Sequence, residues 1–427
     1  MSNCYTVGFA KVDITPDKPT PYLAFNPRHT LFEGVHDPLY ARVITVSDSK
    51  EQAVIIGTDT IGIANAVLGE DRNYTSEVRK KIAEKTGIPE TSVMLASPHI
   101  HSAPETINLR PIKDDANTVA WLEELQDKIS DAVLKALNNT FQANMYVMTG
   151  SAEGISYNRR KDPILDTQVT VLLFKSVQED RNVLLTQFAC HPVMLQVQDQ
   201  ISADYLEAFH ACLEKSVKNL EGDLFLQGAC GDIDPVIGNT KNFNDTYYTG
   251  TALAGEVLKL YGRMSIAKSA VQPVIIKSKS KELLLPSRPL PKGKETEDFV
   301  ATMDERIRAG QPLPPELKRK EELYYRLKME DVAFRGEVQI LRIGNALLTG
   351  IPGEPFCKLG LTIKSLASPC IGIPVGYANG YLGYIAPKEA WDKGGYEVNP
   401  GPWSIVGFEG YDMILDAAED LLKEMKD

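Results

Sequence analysis

The stretch SVMLASPHIHSAP, residues 92–104, places two histidines shortly after an apolar run. The run from Val93 to Ala96 carries no polar side chain and is followed by Ser-Pro, which is typical of a buried β-strand. His99 and His101 therefore lie just beyond a strand end, where α/β proteins place many of their functional groups. The stretch predicts an α/β fold with a site at its strand ends.

Strand-like and helix-like segments alternate on both sides of this stretch. The segment TSEVRKKIAEKTG predicts a helix with Thr75 as its N-cap and Gly87 at its end. By the same signals, strands are predicted in YARVITVSD, QAVIIGTDT, NMYVMTG, QVTVLLFKS, NVLLTQFAC and DLFLQG, and helices in WLEELQDKISDAVLKALNN and ADYLEAFHACLEKSVKNL. We therefore predict one α/β domain over residues 1–427, with a mixed β-sheet core and flanking helices.

A charged, proline-rich segment interrupts this alternation at about residues 287–331. It contains RPLPKGKETED and GQPLPPELKRKEELYYRLKMED, whose charges and prolines disfavour a place in the core. We predict a surface insertion with helical parts, placed so that it can cover the mouth of the site. The segment VQILRIGNALLTG after it predicts a pair of strands.

The composition limits the class of protein. The hydrophobic share of 43% suffices for a globular core, and the net charge of −11 disfavours nucleic-acid binding because phosphate backbones are repelled. No apolar run reaches the roughly 20 residues that a membrane-spanning helix needs, and the N-terminus lacks a signal-peptide pattern. The six scattered cysteines form no CxxC pair, which favours a reducing compartment. We predict a cytoplasmic protein with a small-molecule substrate, and homo-oligomer formation stays open.

Three histidines at strand ends are candidates for a metal site. If residues 99–101 are extended, the side chains of His99 and His101 point to the same face, and His191 arrives from the end of NVLLTQFAC. Two histidines and one carboxylate would make a zinc site with an open position for water. The alternative is ordinary hydrogen-bonded histidines in turns beside prolines. The combination of a His-x-His motif with a third histidine at another strand end favours the metal.

Carboxylates also follow predicted strands. Glu354 in GIPGEPF lies where a helix begins, and its alternative role is a favourable interaction with the helix dipole. The glycines of GACGDIDP allow the backbone to approach a ligand closely. Asp232 and Asp234 in this turn are candidates to bind a cation or orient a base, although aspartates are common in turns in any case.

Basic and aromatic side chains complete the set of candidates. Arg159 and Arg160 in YNRRKDP can hold an oxyanion or a carboxylate, but a solvated arginine pair is more common. Tyr381, Tyr384 and Tyr396 belong to residue types that most often pack with a hydrogen-bonded hydroxyl group. The residues alone therefore leave the roles of these side chains open.

Taken in order along the chain, the motifs resemble the catalytic domain of the neutral/alkaline (non-lysosomal) ceramidases. Those enzymes are zinc amidohydrolases that cleave an N-acyl bond. The resemblance extends from near the N-terminus to about Tyr396. It rests on seven motifs: ASPHIHSAPE, YNRR, FACHPVML, ISADYLEAF, LQGACGDIDP, IPGEPF and GYANGYLGYIAP followed by GGYEV.

The resemblance implies a ligand set for one zinc ion, Zn²⁺. The ligands would be His99, His191, Glu354 and the phenol of Tyr384. His101 would not bind the metal, and would form a hydrogen bond on the side that faces the substrate. The zinc would make hydroxide available near neutral pH by lowering the pKa of its water from 15.7 towards ~7.

The resemblance also implies roles for groups around the substrate. Arg159 and Tyr396 would line its carbonyl and stabilise the oxyanion with the metal. Asp234 or His101 would pass a proton to the leaving amine. The domain over residues 1–427 would thus be a single ceramidase-like zinc hydrolase domain.

Two departures from the family pattern make the substrate an open question. Asp234 stands where the ceramidases carry serine in a GD-x-SP turn, and an ionised carboxylate cannot donate a hydrogen bond as a hydroxyl does. The ceramidases also continue into a further β-rich C-terminal domain, whereas we expect none here. We predict a small polar N-acyl substrate, with a ceramide-like lipid and hence a role in sphingolipid metabolism as the second choice. The alternatives are a zinc esterase, lactonase or glycan-active hydrolase, and a non-catalytic binding protein.

Overall fold

Two β-sheets packed face to face form the centre of the protein. This is seen in a computed structural model, which describes residues 4–21, 31–109, 112, 115–196, 199–266, 271–329 and 333–426. The strands are β1 (Tyr5–Asp13), β2 (Gly34–Val35), β3 (Tyr40–Ser47), β4 (Gln52–Thr58), β5 (Val93–Ala96), β6 (Thr140–Ser151), β7 (Ser156–Asn158), β8 (Gln168–Ser176), β9 (Asn182–Phe188), β10 (Gln200–Ile201), β11 (Leu220–Gln227), β12 (Ile233–Pro235), β13 (Ile276–Leu285), β14 (Phe334–Ile343), β15 (Ala346–Gly350), β16 (Glu354–Pro355), β17 (Ile371–Val375) and β18 (Tyr384–Ile385).

Helices cover the outer faces of the two sheets. They are α1 (Tyr74–Thr86), α2 (Ala116–Asn138), α3 (Tyr205–Ser216), α4 (Phe243–Ile266), α5 (Lys294–Arg308), α6 (Pro315–Lys318), α7 (Glu321–Lys328), α8 (Cys357–Leu366), α9 (Lys388–Lys393) and α10 (Glu409–Lys426), with 3₁₀ turns at Glu90–Ser92 and Tyr396–Val398. No helix within the described ranges is both long and apolar enough to cross a bilayer.

The larger sheet is mixed, as the sequence predicts. Its order is β11-β9-β8-β6-β1-β3-β4-β5, with parallel pairs at its two ends and antiparallel pairs between them. The smaller sheet has the order β13-β14-β15-β17, and its last pair is parallel. The strand ends that carry the site, those of β5, β9 and β11, all belong to parallel pairs of the larger sheet.

Alternation along the strands explains how the two sheets pack. In β4, Val54 and Ile56 pack towards the helix-covered face of the larger sheet, and Ile55 between them packs against the smaller sheet. All three are fully buried, which contributes about 1.5–3 kcal/mol for each side chain. Because both faces of the sheet are covered here, the sequence of β4 is a continuous apolar run and does not alternate between apolar and polar residues.

The first helix corrects one detail of the sequence prediction. The N-cap of α1 is Asn73, whose side chain accepts a hydrogen bond from the backbone N–H of Ser76 at 2.9 Å. Thr75 is already inside the helix, so its prediction as the cap was wrong. Asn and Thr are both good caps, and the sequence does not show which of them has the extended backbone of a cap. Gly87 does end the helix, with a left-handed φ of 75°.

The charged, proline-rich segment forms helices α5 to α7, and residues 330 and 331 at its end lie outside the described residues. Most of its side chains are exposed, while Met303 and Tyr324 are buried. Its start is tied to the loop after α9, because Arg288 donates to the carbonyl of Val398 at 2.8 Å and to the hydroxyl of Ser404 at 2.9 Å. Its description as an insertion in a single domain stays a prediction.

Candidate metal centre and active site

Three strand ends bring His99, His191 and Glu354 together. His99 follows β5, His191 follows β9, and Glu354 forms the short strand β16. Glu354 Oε2 lies 3.1 Å from His191 Nε2 and 3.5 Å from His99 Nε2. The three ligand atoms lie within 4.8 Å of one another, and all three side chains are buried. This arrangement matches the spacing of a metal site.

The outer ring nitrogens of both histidines are held by backbone carbonyls. His99 Nδ1 lies 2.5 Å from the carbonyl oxygen of Ile61, and His191 Nδ1 lies 2.9 Å from that of Ile233. A carbonyl only accepts, so Nδ1 must carry the hydrogen in each ring. In the neutral tautomer Nε2 then presents a lone pair to the centre, as metal-binding histidines do.

The charges at this centre also fit a cation. Burial alone would raise the pKa of Glu354, but His99, His191 and Tyr381 together hold it well below its usual range. Burial lowers the pKa of His99 to about 4, so this ring is neutral near pH 7. Burial also opposes charge on His191, yet Cys230 and Glu354 hold its pKa well above the ordinary value. These surroundings therefore favour a positive charge at this position, which a bound metal ion would also supply.

Two tyrosines hold the carboxylate, namely Tyr381, whose role the sequence left open, and Tyr377, which was not among the candidates. Tyr381 donates to Glu354 Oε1 at 2.5 Å, and Tyr377 donates to Glu354 Oε2 at 3.3 Å. The Tyr377 ring also stacks on His99, with 4.3 Å between the ring centres. The only signal in the sequence is the recurrence of tyrosine in GYANGYLGY, which does not reveal where the hydroxyl groups point.

The geometry of the His-x-His motif differs from the extended conformation that we considered for residues 99–101. His99 has a φ of 73°, in the left-handed region, and His101 lies in a turn. The two side chains still meet, with 3.2 Å between their Nε2 atoms. They meet because the backbone turns sharply between them, not because they share a face of a strand. His101 lies outside the group formed by His99, His191 and Glu354.

The register of two short strands places Tyr384 beside the centre. β16 pairs with β18 in parallel, and Glu354 and Tyr384 are direct backbone partners. The phenol oxygen of Tyr384 accepts a hydrogen bond from Arg159 Nη2 at 3.0 Å. Burial raises the pKa of Tyr384 well above 10, while Arg159 acts to lower it. Its role as a metal ligand remains a prediction.

Another strand pair positions Arg159 and Asp234. β12 pairs with β7, so that Asp234 lies opposite Tyr157, two residues before Arg159. Arg159 Nη1 donates to Asp234 Oδ1 at 3.0 Å, and Arg159 Nη2 donates to the carbonyl of Gly231 at 2.7 Å. The carboxylate that replaces the family serine is thus paired with the arginine that we predicted beside the substrate carbonyl.

Asp232 has a different place from Asp234. Its carboxylate accepts from the backbone N–H of Cys357 at 2.7 Å and from the side-chain amide of Asn158 at 2.8 Å. These contacts fasten the start of α8 to the GACGDIDP turn. These contacts match the ordinary turn role that the sequence left open for Asp232.

A cavity of about 550 Å³ opens beside the centre. Most of the predicted site residues line it, whereas His99 and Glu354 lie behind its wall in contact with His191. Tyr396 is 37% exposed and stacks on Trp403 with 4.7 Å between ring centres. The lining residues are His101, Arg159, Arg160, His191, Val193, Gln196, Asp234, Tyr384, Lys393, Gly394, Gly395, Tyr396 and Glu397. Most of the lining residues carry polar or charged side chains, although carbon atoms form the larger part of the exposed wall.

The sequence of this chain is similar to part of a known protein. No family model matches the chain. It is 30% identical over 99 residues to the neutral ceramidase of Mycobacterium tuberculosis (strain ATCC 25618 / H37Rv), a match that covers 21% of this chain and only 15% of that relative.

Solved structures match over nearly the whole chain. The crystal structure of neutral ceramidase from Pseudomonas aeruginosa has a TM-score of 0.76 at 20% identity, and the match covers 99% of this chain and 75% of that one. A structure described as ceramidase complexed with C2 has a TM-score of 0.75 at 18% identity, covering 99% of this chain and 76% of that one. The chain therefore has the fold of the neutral ceramidases, and the family resemblance seen in its motifs is supported by both comparisons.

Proposed function

We propose that the protein is a zinc-dependent amidohydrolase that cleaves the N-acyl bond of a small polar or ceramide-like substrate. The observation that carries this proposal is the convergence of His99, His191 and Glu354 beside a cavity lined mainly by polar residues. Both histidines use Nδ1 to bind a backbone carbonyl and turn Nε2 towards the carboxylate. The fold of the neutral ceramidases supports the same reaction.

The metal would be held by His99, His191 and Glu354, with Tyr384 as the fourth ligand that the family resemblance implies. A zinc ion bound there would act as a Lewis acid, which polarises a carbonyl group and makes hydroxide available near neutral pH. The hydroxyl groups of Tyr377 and Tyr381 hold the Glu354 carboxylate in place, and the Ile61 and Ile233 carbonyls hold the two imidazoles.

Residues of the cavity wall would act on the substrate directly. Arg159 and the hydroxyl group of Tyr396 would stabilise the negative charge that develops on the carbonyl oxygen. Burial, and then the neighbouring His99 and His191, hold the pKa of His101 well below its ordinary value, so its imidazole is neutral. A neutral imidazole can accept a proton and return it to the leaving amine, with Asp234 as the other candidate.

The charged residues that line the cavity favour a polar substrate over a lipid. Val193 is the one aliphatic side chain among the described residues that line the cavity. A polar substrate can form hydrogen bonds with the charged side chains of this wall, whereas a long alkyl chain cannot. We therefore place a small polar N-acyl compound first and a ceramide-like substrate second.

The test is a panel of substrates offered to the zinc-loaded protein. It contains short-chain N-acyl sphingosine, N-acetylated amino sugars, N-acyl amino acids and an ester counterpart of each, with the free amine or alcohol measured. We expect release of amine that requires zinc and is lost in His191→Ala. Cleavage of the esters without any amide, or no cleavage by fully zinc-loaded protein, would contradict the proposal.

A further inference from the structure

Glu397 joins the two arginines that lie at the cavity wall. Its Oε1 accepts from Arg159 Nε at 2.8 Å, and its Oε2 accepts from Arg160 Nη1 at 2.5 Å. The residue is only 3% exposed although it lines the cavity. One buried carboxylate thus pairs with two neighbouring guanidinium groups.

The contacts of Arg159 show what this carboxylate controls. A guanidinium group is planar and carries five N–H donors in a fixed fork, so two anchors determine its orientation. Arg159 is anchored at Nε by Glu397 and at Nη1 by Asp234. With these anchors in place, Nη2 points to the phenol oxygen of Tyr384 at 3.0 Å and to the carbonyl of Gly231 at 2.7 Å.

The second arginine fastens the loop that carries Glu397. Arg160 Nη2 donates to the carbonyls of Ala390 and Gly394, at 3.2 and 2.7 Å. Gly394 and Gly395 have φ values of 69° and 116°, which glycine adopts without strain. A Cβ atom on Gly395 would lie 2.6 Å from Arg160 Nη1, so glycine is also needed for this close approach. The sequence GGYE therefore allows the backbone to place Glu397 against the two arginines.

We propose that Glu397 is a positioning residue, which holds the Arg159 guanidinium against Tyr384 and towards the substrate carbonyl. This positioning role depends on the proposed amidohydrolase function in one respect only, namely the expected effect of Glu397 on turnover. Glu397 touches neither His99, His191 nor Glu354, and it acts through Arg159. Without its charge, Asp234 is the remaining carboxylate on Arg159, and the guanidinium turns towards Asp234 and away from Tyr384.

The test uses Glu397→Gln in the full chain. Glutamine keeps the size of the side chain and one acceptor oxygen, but its amide nitrogen donates and cannot pair with a second arginine. Crystal structures of the parent protein and the variant would show whether Arg159 Nη2 leaves the Tyr384 oxygen. In the active enzyme we expect kcat to fall about 100-fold, as for a misplaced catalytic group, and KM to change far less.

A matched control separates this effect from loss of a buried ion pair. Glu337 of β14 is also a poorly exposed glutamate, and its Oε2 accepts from Arg79 Nη1 of α1 at 2.8 Å. Neither residue lines the cavity. Glu337→Gln should lower stability to a similar degree and leave kcat unchanged. Glu397→Asp, which keeps the charge, should recover part of the kcat lost in Glu397→Gln.

The outcomes distinguish the two proposals. An Arg159 that keeps its place in Glu397→Gln overturns the positioning role, whatever the activity of the protein. An equal loss of kcat in Glu337→Gln also overturns it, because the effect would then be general destabilisation. If Arg159 moves while the parent protein cleaves no N-acyl compound, the positioning role stands and the proposed function fails.

Discussion

At the scale of single residues, the site depends on contacts that fix the direction of each polar group. The histidines and Glu354 were predicted as candidates from the sequence because they directly follow apolar strands. Tyr381 was named without a role and Tyr377 was not named, and their hydroxyl groups reach Glu354 from the two sides of a turn formed by the positive-φ residues Asn379 and Gly380. A sequence pattern indicates which residues follow a strand. It does not indicate the direction in which a side chain points after a later turn.

His101 lies beside the proposed ligands without being one of them. We expect His101→Ala to keep most of the zinc and to lose turnover by about 100-fold or more, because a general acid–base group is removed. Zinc content and kcat measured on the same preparation check this. A loss of zinc as large as that in His99→Ala would mean that His101 is itself a ligand.

Zinc binding to the metal-free protein should depend on pH. The pKa of His191 is held well above its ordinary value by Cys230 and Glu354, which outweigh burial, so the ring is protonated near pH 7. A metal ligand must give up that proton, and the apparent affinity for zinc should rise about tenfold per pH unit below this pKa. Competition with a chromophoric chelator at several pH values measures the slope. A flat profile from about pH 6 to about pH 8 would contradict the assignment.

Asp234 is the position at which this chain departs from the ceramidase motif. Serine would remove the carboxylate that pairs with Arg159 at 3.0 Å. We expect Asp234→Ser to keep its zinc and to shift the ratio of kcat/KM from small polar amides towards short-chain N-acyl sphingosine. Asp234→Ala should retain zinc and lose the activity on polar amides. If the parent protein already cleaves the sphingosine substrate well and Asp234→Ser changes nothing, Asp234 has no part in specificity.

At the scale of elements, the apolar strands were predicted more reliably than their surroundings. Strand β8 has the bounds expected from its apolar run, and β5 ends where the sequence places the start of the site. The long helix α4 and the strand β13 were not predicted. Strand β13 alternates lysine with serine on an edge of the smaller sheet, so its sequence lacks the apolar pattern of a buried strand.

The helices of the charged, proline-rich segment give a prediction at this scale. Most side chains of α5 and α6 are exposed, whereas α7 is largely half-buried and packs through Tyr324 and Arg326. Limited proteolysis should therefore cut within residues 287–331 before it cuts elsewhere. Mass spectrometry of the first fragments identifies the sites. Resistance equal to that of the sheets would show that the segment is an integral part of the core.

At the scale of the whole molecule, local patterns predicted an α/β domain with a mixed sheet but not the second sheet. The packing of the smaller sheet depends on contacts between residues far apart in sequence, such as Ile55 and Leu348 in one apolar cluster. The same long-range packing brings Glu354 and Tyr384, which follow strands of the smaller sheet, to the histidines at the ends of the larger one. The site is therefore a product of the contact between the two sheets.

The central claim is that His99, His191 and Glu354 bind zinc, and metal content tests it most directly. Elemental analysis of protein purified without added metal, and again after zinc reconstitution and removal of the excess, should give about one zinc per chain. His191→Ala, treated in the same way, should lose the metal. Zinc that stays well below one per chain after reconstitution, or zinc retained in full by His191→Ala, would contradict the account.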